Sequence, residues 1–286
     1  MKVFPECVPC LISRVLYEAK LSTTDHATQL KAEEAAVKAI CRLSFNGPIS
    51  LLSTNVHRAT YRALGDDDPY RNVKRLANET AVTLLPTVRS IIESSSDAFR
   101  SAVIAAIIGN TFDFGVLGFE VVTDDFEKEV AAIYQHGLDI DDTAAMKRLI
   151  GDVVYIADNV GEIVYDGLLI EQIRNLGGRV TLVVRGGYIL TDATMQDVWE
   201  SGLDKIADRV MTTGSNAVGV KLDETSAELK DALSRASLII AKGMANFEML
   251  SEYHFRPIAY LLRVKCRPVA ESIGARVGDV IAQLVR

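Results

Sequence analysis

The amino-acid sequence predicts an α/β protein: a doubly wound, mostly parallel sheet of about five or more strands with an N-terminal all-helical subdomain. Short apolar runs alternate with helix-like segments from about residue 151 onwards. The first 150 residues carry helical periodicity, and strand-like runs are scarce there. We therefore expect a helical region over 1–150 and an α/β core over 151–286, with a cleft between them as the natural site.

The strand and helix assignments follow from apolar patterns. Val153 to Ala157 is almost wholly apolar, as in a parallel strand buried on both faces, and Gly177-Gly178 ends the helix-like segment that follows. The predicted strands are 153–157, 179–184, 209–212, 238–241 and 258–264. The predicted helices are 25–43, 97–108 and 124–136 in the first half, then 161–176, 193–201, 223–235 and 244–253.

The composition is that of an ordinary globular protein. The chain has 286 residues, of which 49% are hydrophobic and 24% are charged, with a formal net charge of −7. Without a long basic run, a nucleic-acid or anionic-membrane partner is disfavoured. No apolar stretch reaches the roughly 20 residues of a membrane span, and the N-terminus lacks the features of a signal peptide. We expect a cytoplasmic protein.

Four cysteines are too few for a disulfide scaffold at this length. Cys7 and Cys10 form a Cys-x-x-Cys pair, and Cys266 is a possible third thiolate for a zinc site. The N-terminal position and the proline between the two cysteines differ from a thioredoxin-like redox motif. We favour reduced, buried or partly exposed thiols over metal or redox work.

Oxygen ligands follow the first two strands of the predicted sheet. Asp158 and Asn159 come directly after residues 153–157, and Asp192 follows the second strand. Because the carboxyl ends of parallel strands share one edge, these side chains should converge there. Carboxylate and amide oxygens suit a hard divalent cation such as Mg²⁺ or Mn²⁺. Taken alone, each residue is better explained as a turn or a helix cap, so the metal hypothesis depends on the set.

Anion-binding groups are predicted at the same edge. Gly161 and Glu162 begin a helix whose first amides offer an anion site. Lys242 ends an apolar strand, where a phosphate bridged between the lysine and the metal is the natural partner, and Asn246 follows in the next helix. In the helical half, Asn110 and Asp113 by themselves indicate only a polar turn.

Together these motifs resemble the damage-control phosphatase family, also called domain of unknown function 89 or the acidic-residue-methyltransferase-like domain. The resemblance runs from residue 7 to about residue 270, and the N-terminal Cys-x-x-Cys is similar to the prokaryotic branch. The matching motifs are Cys7-x-x-Cys10, Asp68-Pro69-Tyr70 with Lys74 and Asn78, Gly109-Asn110-x-x-Asp113, Asp158-Asn159-x-Gly161-Glu162, Asp192-Ala193-Thr194, Lys242-Gly243-x-x-Asn246 and Lys265-Cys266.

The resemblance implies a divalent-metal-dependent phosphatase, a hydrolase of small phosphate esters such as sugar phosphates or damaged phosphometabolites. Mn²⁺, Co²⁺, Ni²⁺ or Mg²⁺ is the implied cofactor. By similarity, Asp158, Asn159 and Asp192 take the metal-ligand positions and Lys242 the phosphate-contacting position, so that Asp158 and Lys242 are the expected catalytic residues. The resemblance also implies that Asn110 and Asp113 border the cleft. With the anion-binding groups predicted above, the expected substrate-binding residues are Asn110, Asp113, Gly161, Glu162, Lys242 and Asn246.

Two rival functions stay open at this point. An S-adenosylmethionine-dependent methyltransferase shares the α/β core but needs a nucleoside-binding loop, and the turn after residues 153–157 has only one of the three glycines of a dinucleotide fingerprint. A non-catalytic metal- or metabolite-binding protein has the same crevice without turnover. Whether Asp158 is only a ligand or also a nucleophile is equally open.

Overall fold

The computed structural model describes residues 1–111, 130 and 132–286, and for residues 110 and 111 it describes the backbone alone. The strands of the described residues form one seven-stranded sheet. They are β1 (Ile140–Asp141), β2 (Asp152–Ile156), β3 (Arg179–Val184), β4 (Arg209–Thr212), β5 (Leu238–Lys242), β6 (Ile258–Arg263) and β7 (Val280–Val285).

Helices cover both faces of this sheet. The helices of the first half are α1 (Cys7–Ser22), α2 (His26–Arg42), α3 (Ile49–Leu64), α4 (Arg71–Ser94), α5 (Ala98–Thr111) and α6 (Thr143–Lys147). Those of the second half are α7 (Glu162–Asn175), α8 (Met195–Ser201), α9 (Ala227–Arg235), α10 (Gly243–Leu250) and α11 (Arg267–Ile273).

The strand order is β1-β7-β6-β5-β2-β3-β4. Neighbouring strands are parallel except β6 and β7, which are antiparallel. After β2 the chain adds β3 and β4 on one side and then returns to place β5 on the other side of β2. Such a reversal opens a crevice at the carboxyl ends of the central strands, where doubly wound proteins bind ligands.

Strand β2 shows why its sequence is almost wholly apolar. Val153 and Tyr155 point into a core formed with α4, α5 and α7, whereas Val154 and Ile156 point into a second core formed with helices that include α1, α3 and α10. Successive side chains of a strand alternate between its faces, so a strand covered on both faces needs apolar residues at every position. Both cores combine residues from before and after position 150.

The predicted fold class is confirmed: the sheet is mostly parallel and flanked by helices on both faces. Strands 179–184 and 209–212 have the predicted bounds. Two strands are not predicted by the sequence: β1, which has two residues and therefore no pattern, and the partly exposed β7, which contains Gln283. The predicted helix 124–136 falls mostly outside the described residues, although 132–136 are helical. The division near residue 150 stays a prediction.

No helix in the described part of the chain combines the length and the apolar character needed to cross a bilayer.

A close helix crossing generates a stability prediction. A Cβ added at Gly109 of α5 would lie 2.8 Å from the Cα of Glu162 at the start of α7. We expect Gly109→Ala to lower the free energy of unfolding by about 1–2 kcal/mol, because the overpacking outweighs the ~1 kcal/mol gain in helix propensity. Urea unfolding measures the change. Gly47→Ala is the control, since the nearest atom to its Cβ lies 3.9 Å away, and a loss as large as that of Gly109→Ala would contradict the packing argument.

Candidate active site

The loops that follow β2 and β3 pair with each other at the carboxyl edge of the sheet. The backbone N–H of Ala193 donates to the carbonyl oxygen of Asp158 at 2.8 Å. Asn159 and Asp192 form an antiparallel bridge. Because β2 and β3 are parallel neighbours, their loops leave the sheet side by side, and this pairing fixes the positions of the polar side chains.

The three side chains that the sequence predicts as metal ligands form one group. Asp158 is 5% exposed and Asp192 is 2% exposed. The amide Nδ2 of Asn159 donates to Oδ2 of Asp158 at 2.8 Å, and Oδ1 of Asn159 accepts a hydrogen bond from the hydroxyl of Thr191 at 2.7 Å. These bonds orient the carboxamide between its neighbours.

Arg185 contacts this group, although no sequence motif predicted it. It follows β3 directly and is 1% exposed. Its Nε donates to Oδ2 of Asp192, and its Nη2 lies 3.7 Å from Oδ1 of Asp158. A charged residue directly after a buried apolar strand was the signal that drew attention to Lys242, and the same signal was present here.

The electrostatics of the two carboxylates are unusual. Burial raises the pKa of Asp158 well above its usual range, the charge of Asp192 adds to this, and the charges of Arg185 and Lys265 oppose it. Burial also raises the pKa of Asp192, against the effect of Arg185. One guanidinium therefore does not offset the desolvation and mutual repulsion of this pair, and further positive charge at the site would stabilise the ionised forms.

The donor chemistry of this group fits a hard divalent cation. Its two carboxylates and one carboxamide are oxygen donors of the kind that Mg²⁺ and Mn²⁺ prefer. Among residues 1–111, 130 and 132–286, no three His, Cys, Asp or Glu side chains form a metal-binding group. The set at β2 and β3 has two acids and an amide, which is a sparse set that leaves coordination positions for water or substrate.

A cavity of about 480 Å³ opens onto these residues. Asp158, Asn159 and Asp192 line it together with Lys265. Its volume is that of a small-metabolite site. The carboxyl edge of the sheet, the acidic group and a pocket of suitable size therefore coincide.

Lys242 has a different environment from the one that the sequence suggested. It is fully buried, and its Nζ donates to Oδ1 of Asp166 at 2.6 Å, to the carbonyl oxygen of Ala106 at 2.8 Å and to Oε1 of Glu162. Three acceptors satisfy the three N–H groups of an ammonium. Burial alone lowers the pKa of Lys242, but the carboxylates of Asp166 and Glu162 outweigh it and raise the pKa.

Two further residues from the anion-site hypothesis have protein partners. The N–H of Gly161 donates to Oδ1 of Asn78 on α4 at 2.7 Å. Glu162 is fully buried, and its Oε2 lies 3.5 Å from Nδ2 of Asn159. Their substrate-binding roles stay predictions.

Two side chains tie helices to the carboxyl edge of the sheet. Asn246, on α10, is fully buried, and its Nδ2 donates to the carbonyl oxygens of Ala157 and Lys242 at 3.0 and 2.7 Å. Asn78, on α4, also donates to Oδ1 of Asp197 at 2.9 Å. Both act here as clamps between elements, and a substrate contact by Asn246 stays a prediction.

The predicted pair in the helical half is only partly described. Asn110 lies in the last turn of α5, and its side chain is outside the described part. Asp113 lies outside the described residues altogether. Both assignments stay predictions. The neighbouring Gly109 nevertheless brings this end of α5 against Glu162.

The Cys-x-x-Cys pair and Cys266 line the same cavity as the acidic group, although they are distant in sequence. All four cysteines are free thiols. Burial raises the pKa of both Cys7 and Cys266, which favours the protonated thiol at neutral pH. The cysteines thus contribute to the wall of the cavity.

His57 also lines the cavity, and sequence reasoning gave it no role. It is 1% exposed, and its Nδ1 lies 2.8 Å from Oε1 of Glu18, which is fully buried. The two residues are 39 positions apart on different helices. No local motif joins them, so only the packing of α1 against α3 reveals the pair.

Acidic and amide side chains at the switch point of a doubly wound sheet are typical of α/β proteins that bind a small ligand at the carboxyl edge. The sequence matches the damage-control phosphatase ARMT1-like domain over residues 3–281, and the chain belongs to this family.

The relatives agree with this assignment. The chain is 45% identical to a damage-control phosphatase of Archaeoglobus fulgidus over 100% of both chains. It is 33% identical to one of Pyrococcus horikoshii over 98% of this chain and 97% of the relative. The crystal structure of a DUF89 family protein from Pyrococcus horikoshii is 32% identical and covers 99% of each chain with a TM-score of 0.91. The predicted family is therefore confirmed, and it is a family of phosphatases.

The cavity wall generates a prediction for pH dependence. Glu248 is partly exposed to the cavity, yet burial raises its pKa to about 7, against the effect of the N-terminal ammonium. The folded state then holds the proton more tightly than the unfolded state, so Glu248 makes stability fall as the pH rises from about 4.5 to about 7. We expect Glu248→Gln to be more stable than the wild type at pH 8 by about 1–3 kcal/mol and nearly equal at pH 4.5.

Urea unfolding of metal-free protein at the two pH values measures this difference. The comparison with the variant is needed because Asp158 and Asp192 shift in the same direction. An equal effect of the substitution at both pH values would contradict the raised pKa.

Proposed function

We propose that this chain is a divalent-metal-dependent phosphatase that hydrolyses small phosphate monoesters, sugar phosphates or damaged phosphometabolites among them. The observation that carries the proposal is the oxygen-donor group of the buried Asp158 and Asp192 with the partly buried Asn159, which lines a cavity of metabolite size in a member of a phosphatase family. The names of the relatives from Archaeoglobus fulgidus and Pyrococcus horikoshii support the reaction class.

In this proposal Asp158, Asn159 and Asp192 hold the cation, which is Mg²⁺, Mn²⁺, Co²⁺ or Ni²⁺. When bound, it supplies a Lewis acid for a phosphate oxygen and lowers the pKa of a water. Arg185 keeps the two carboxylates in place from below. Thr191 and the Asp158 carboxylate orient the Asn159 amide, whose Nδ2 donates to Asp158 and whose Oδ1 accepts from the Thr191 hydroxyl.

The phosphate needs a cation on the substrate side, because the transferred phosphoryl group spreads negative charge over its oxygens. We propose that Lys265 supplies it. Lys265 lines the cavity and is near enough for its charge to lower the pKa of Asp158. Lys242, to which the family resemblance gave this role, spends its three N–H groups on protein acceptors in the arrangement described. In this arrangement it positions Glu162 beside Asn159.

Metal dependence is tested with chelator-treated protein to which one metal at a time is returned, using 4-nitrophenyl phosphate and a panel of sugar phosphates. Phosphate release is expected only after a metal is added. Release by fully chelated protein would contradict the metal requirement. Thermal stabilisation by a metal without turnover of any ester would indicate a binding protein instead.

Asp158→Asn keeps the shape of the side chain but removes a charged ligand. We expect kcat/KM to fall by at least about 100-fold while the protein stays folded, because even outer-sphere partners of a metal are worth about 10–100-fold. The control is Asp231→Asn, whose carboxylate pairs with Arg235 on the exposed side of α9. Unchanged activity in Asp158→Asn would remove Asp158 from the reaction.

The two lysines are separated by a matched pair of variants. Lys265→Met is expected to raise KM and to lower kcat/KM by about 10–100-fold with little effect on stability, because a cation in the wall of the cavity is lost. Lys242→Met leaves Glu162 and Asp166 buried without their partner, so a stability loss of about 3–5 kcal/mol is expected.

Steady-state kinetics below the melting temperature, together with thermal unfolding, distinguish the two roles. Loss of activity in a folded Lys242→Met protein combined with normal activity in Lys265→Met would assign the phosphate contact to Lys242.

A further inference from the structure

His57 and Glu18 form a buried imidazole–carboxylate pair in the wall of the cavity. Nδ1 of His57 lies 2.8 and 3.0 Å from the two carboxylate oxygens, and the hydroxyl of Tyr70 donates to the same carboxylate at 3.4 Å. A carboxylate accepts and does not donate, so Nδ1 carries a proton, and in the imidazolium form Nε2 carries a second one. The opposite nitrogen, Nε2, is the one left for a ligand in the cavity that His57 lines.

Burying this pair between two helices costs desolvation free energy that apolar side chains would not cost. His57 is 1% exposed and Glu18 is fully buried, yet apolar residues fill the same region of α1 and α3, among them Val15, Leu52 and Val56. A buried ion pair is often no more stable than well-packed apolar side chains of similar volume. Buried titratable groups that open onto a pocket are therefore candidates for function.

The position of His57 is coupled to the acidic group through one short loop. One helical turn after His57, the hydroxyl of Tyr61 accepts the backbone N–H of Leu190 at 3.0 Å. Leu190 has a positive φ of 49°, a conformation that a leucine adopts only when its surroundings hold it there. The chain then reaches Asp192 two residues later. The same α3 surface that presents His57 to the cavity thus holds the loop that carries a metal-ligand candidate.

We propose that His57, oriented by Glu18, is the general acid that protonates the leaving group; this role rests on the proposed phosphatase function. The bond between phosphorus and the ester oxygen breaks, and its electron pair stays on that oxygen, which takes the proton from Nε2 of the His57 imidazolium and leaves a neutral ring protonated on Nδ1. The new bond forms between phosphorus and the oxygen of a water, which gives up a proton to solvent. Nε2 takes a proton back from solvent before the next turnover.

This role matters for the substrate class proposed above. The alkoxide of a sugar is a poor leaving group, whereas 4-nitrophenolate is stable without a proton. General acid catalysis typically contributes about 10²–10⁴-fold to a rate. The contribution of His57 should therefore depend on the ester, being large for alkyl and sugar esters and small for activated aryl esters.

The test is a leaving-group series, from 4-nitrophenyl phosphate to phenyl phosphate, measured with the metal-loaded wild type and His57→Gln. We expect kcat/KM to depend weakly on the pKa of the leaving-group phenol in the wild type and steeply on it in the variant. The loss should be about 100-fold for phenyl phosphate and within about threefold for 4-nitrophenyl phosphate. A merely structural role would lower all rates equally.

Three controls complete the experiment. His136→Gln changes a histidine whose side chain is 64% exposed, and it should behave as the wild type. Glu18→Gln keeps a hydrogen-bonding partner for His57 without the charge. The dependence of its kcat/KM on the leaving group should lie between those of the wild type and His57→Gln. Imidazole added to His57→Ala should restore hydrolysis of phenyl phosphate more than of 4-nitrophenyl phosphate.

The possible outcomes are distinct. Equal leaving-group dependence in an active wild type and in His57→Gln would overturn the role of His57 and leave the phosphatase function standing. A wild type inactive on every ester with every metal overturns the phosphatase function and this role with it. If the variants fold poorly, the leaving-group series of the wild type is itself the test. A steep dependence of its kcat/KM on the leaving group is incompatible with a general acid and would overturn the role of His57.

Discussion

Arg185 lies fully buried at the end of β3, in contact with Asp192 and 3.7 Å from Asp158. Two carboxylates packed this closely repel each other, and burial adds to the free energy needed to ionise them. The charge of the Arg185 guanidinium reduces the repulsion between the two carboxylates but does not cancel it. Because further positive charge would stabilise the ionised carboxylates, the group is suited to a divalent cation. The group forms only because β2 and β3 end side by side.

A second buried ion cluster lies next to the group around Arg185 and contacts it through Glu162. Lys242 joins Glu162 and Asp166 of α7, and the hydroxyl of Tyr155 on β2 donates to the same Asp166 oxygen at 2.6 Å. This cluster connects β2, β5 and the start of α7 across the switch point of the sheet. Through Glu162 it reaches Asn159, so the position of Asn159 depends on side chains that do not line the cavity.

The fold was predictable because its signals are local. A parallel strand covered on both faces needs apolar residues at every position, and this need produced the runs that identified β2, β3, β4, β5 and β6. Strand β1 is too short to carry such a signal, and β7 is half exposed and polar at Gln283. The convergence of three candidate site residues was predictable for the same reason. Asp158 and Asn159 come just after β2, and Asp192 lies in the loop after β3, so the order of these parallel strands brings the three residues to one edge.

The sequence by itself determined the fold class, the family and the convergence of these three side chains, because each depends on periodicity or on motifs within a few residues. Only the tertiary structure decided which charges meet. Lys242 pairs with Glu162 and Asp166, whereas Lys265 lines the cavity. His57 pairs with Glu18, 39 positions away. Such pairs depend on how helices pack across the sheet, and a distance of dozens of residues leaves no periodic trace in the chain.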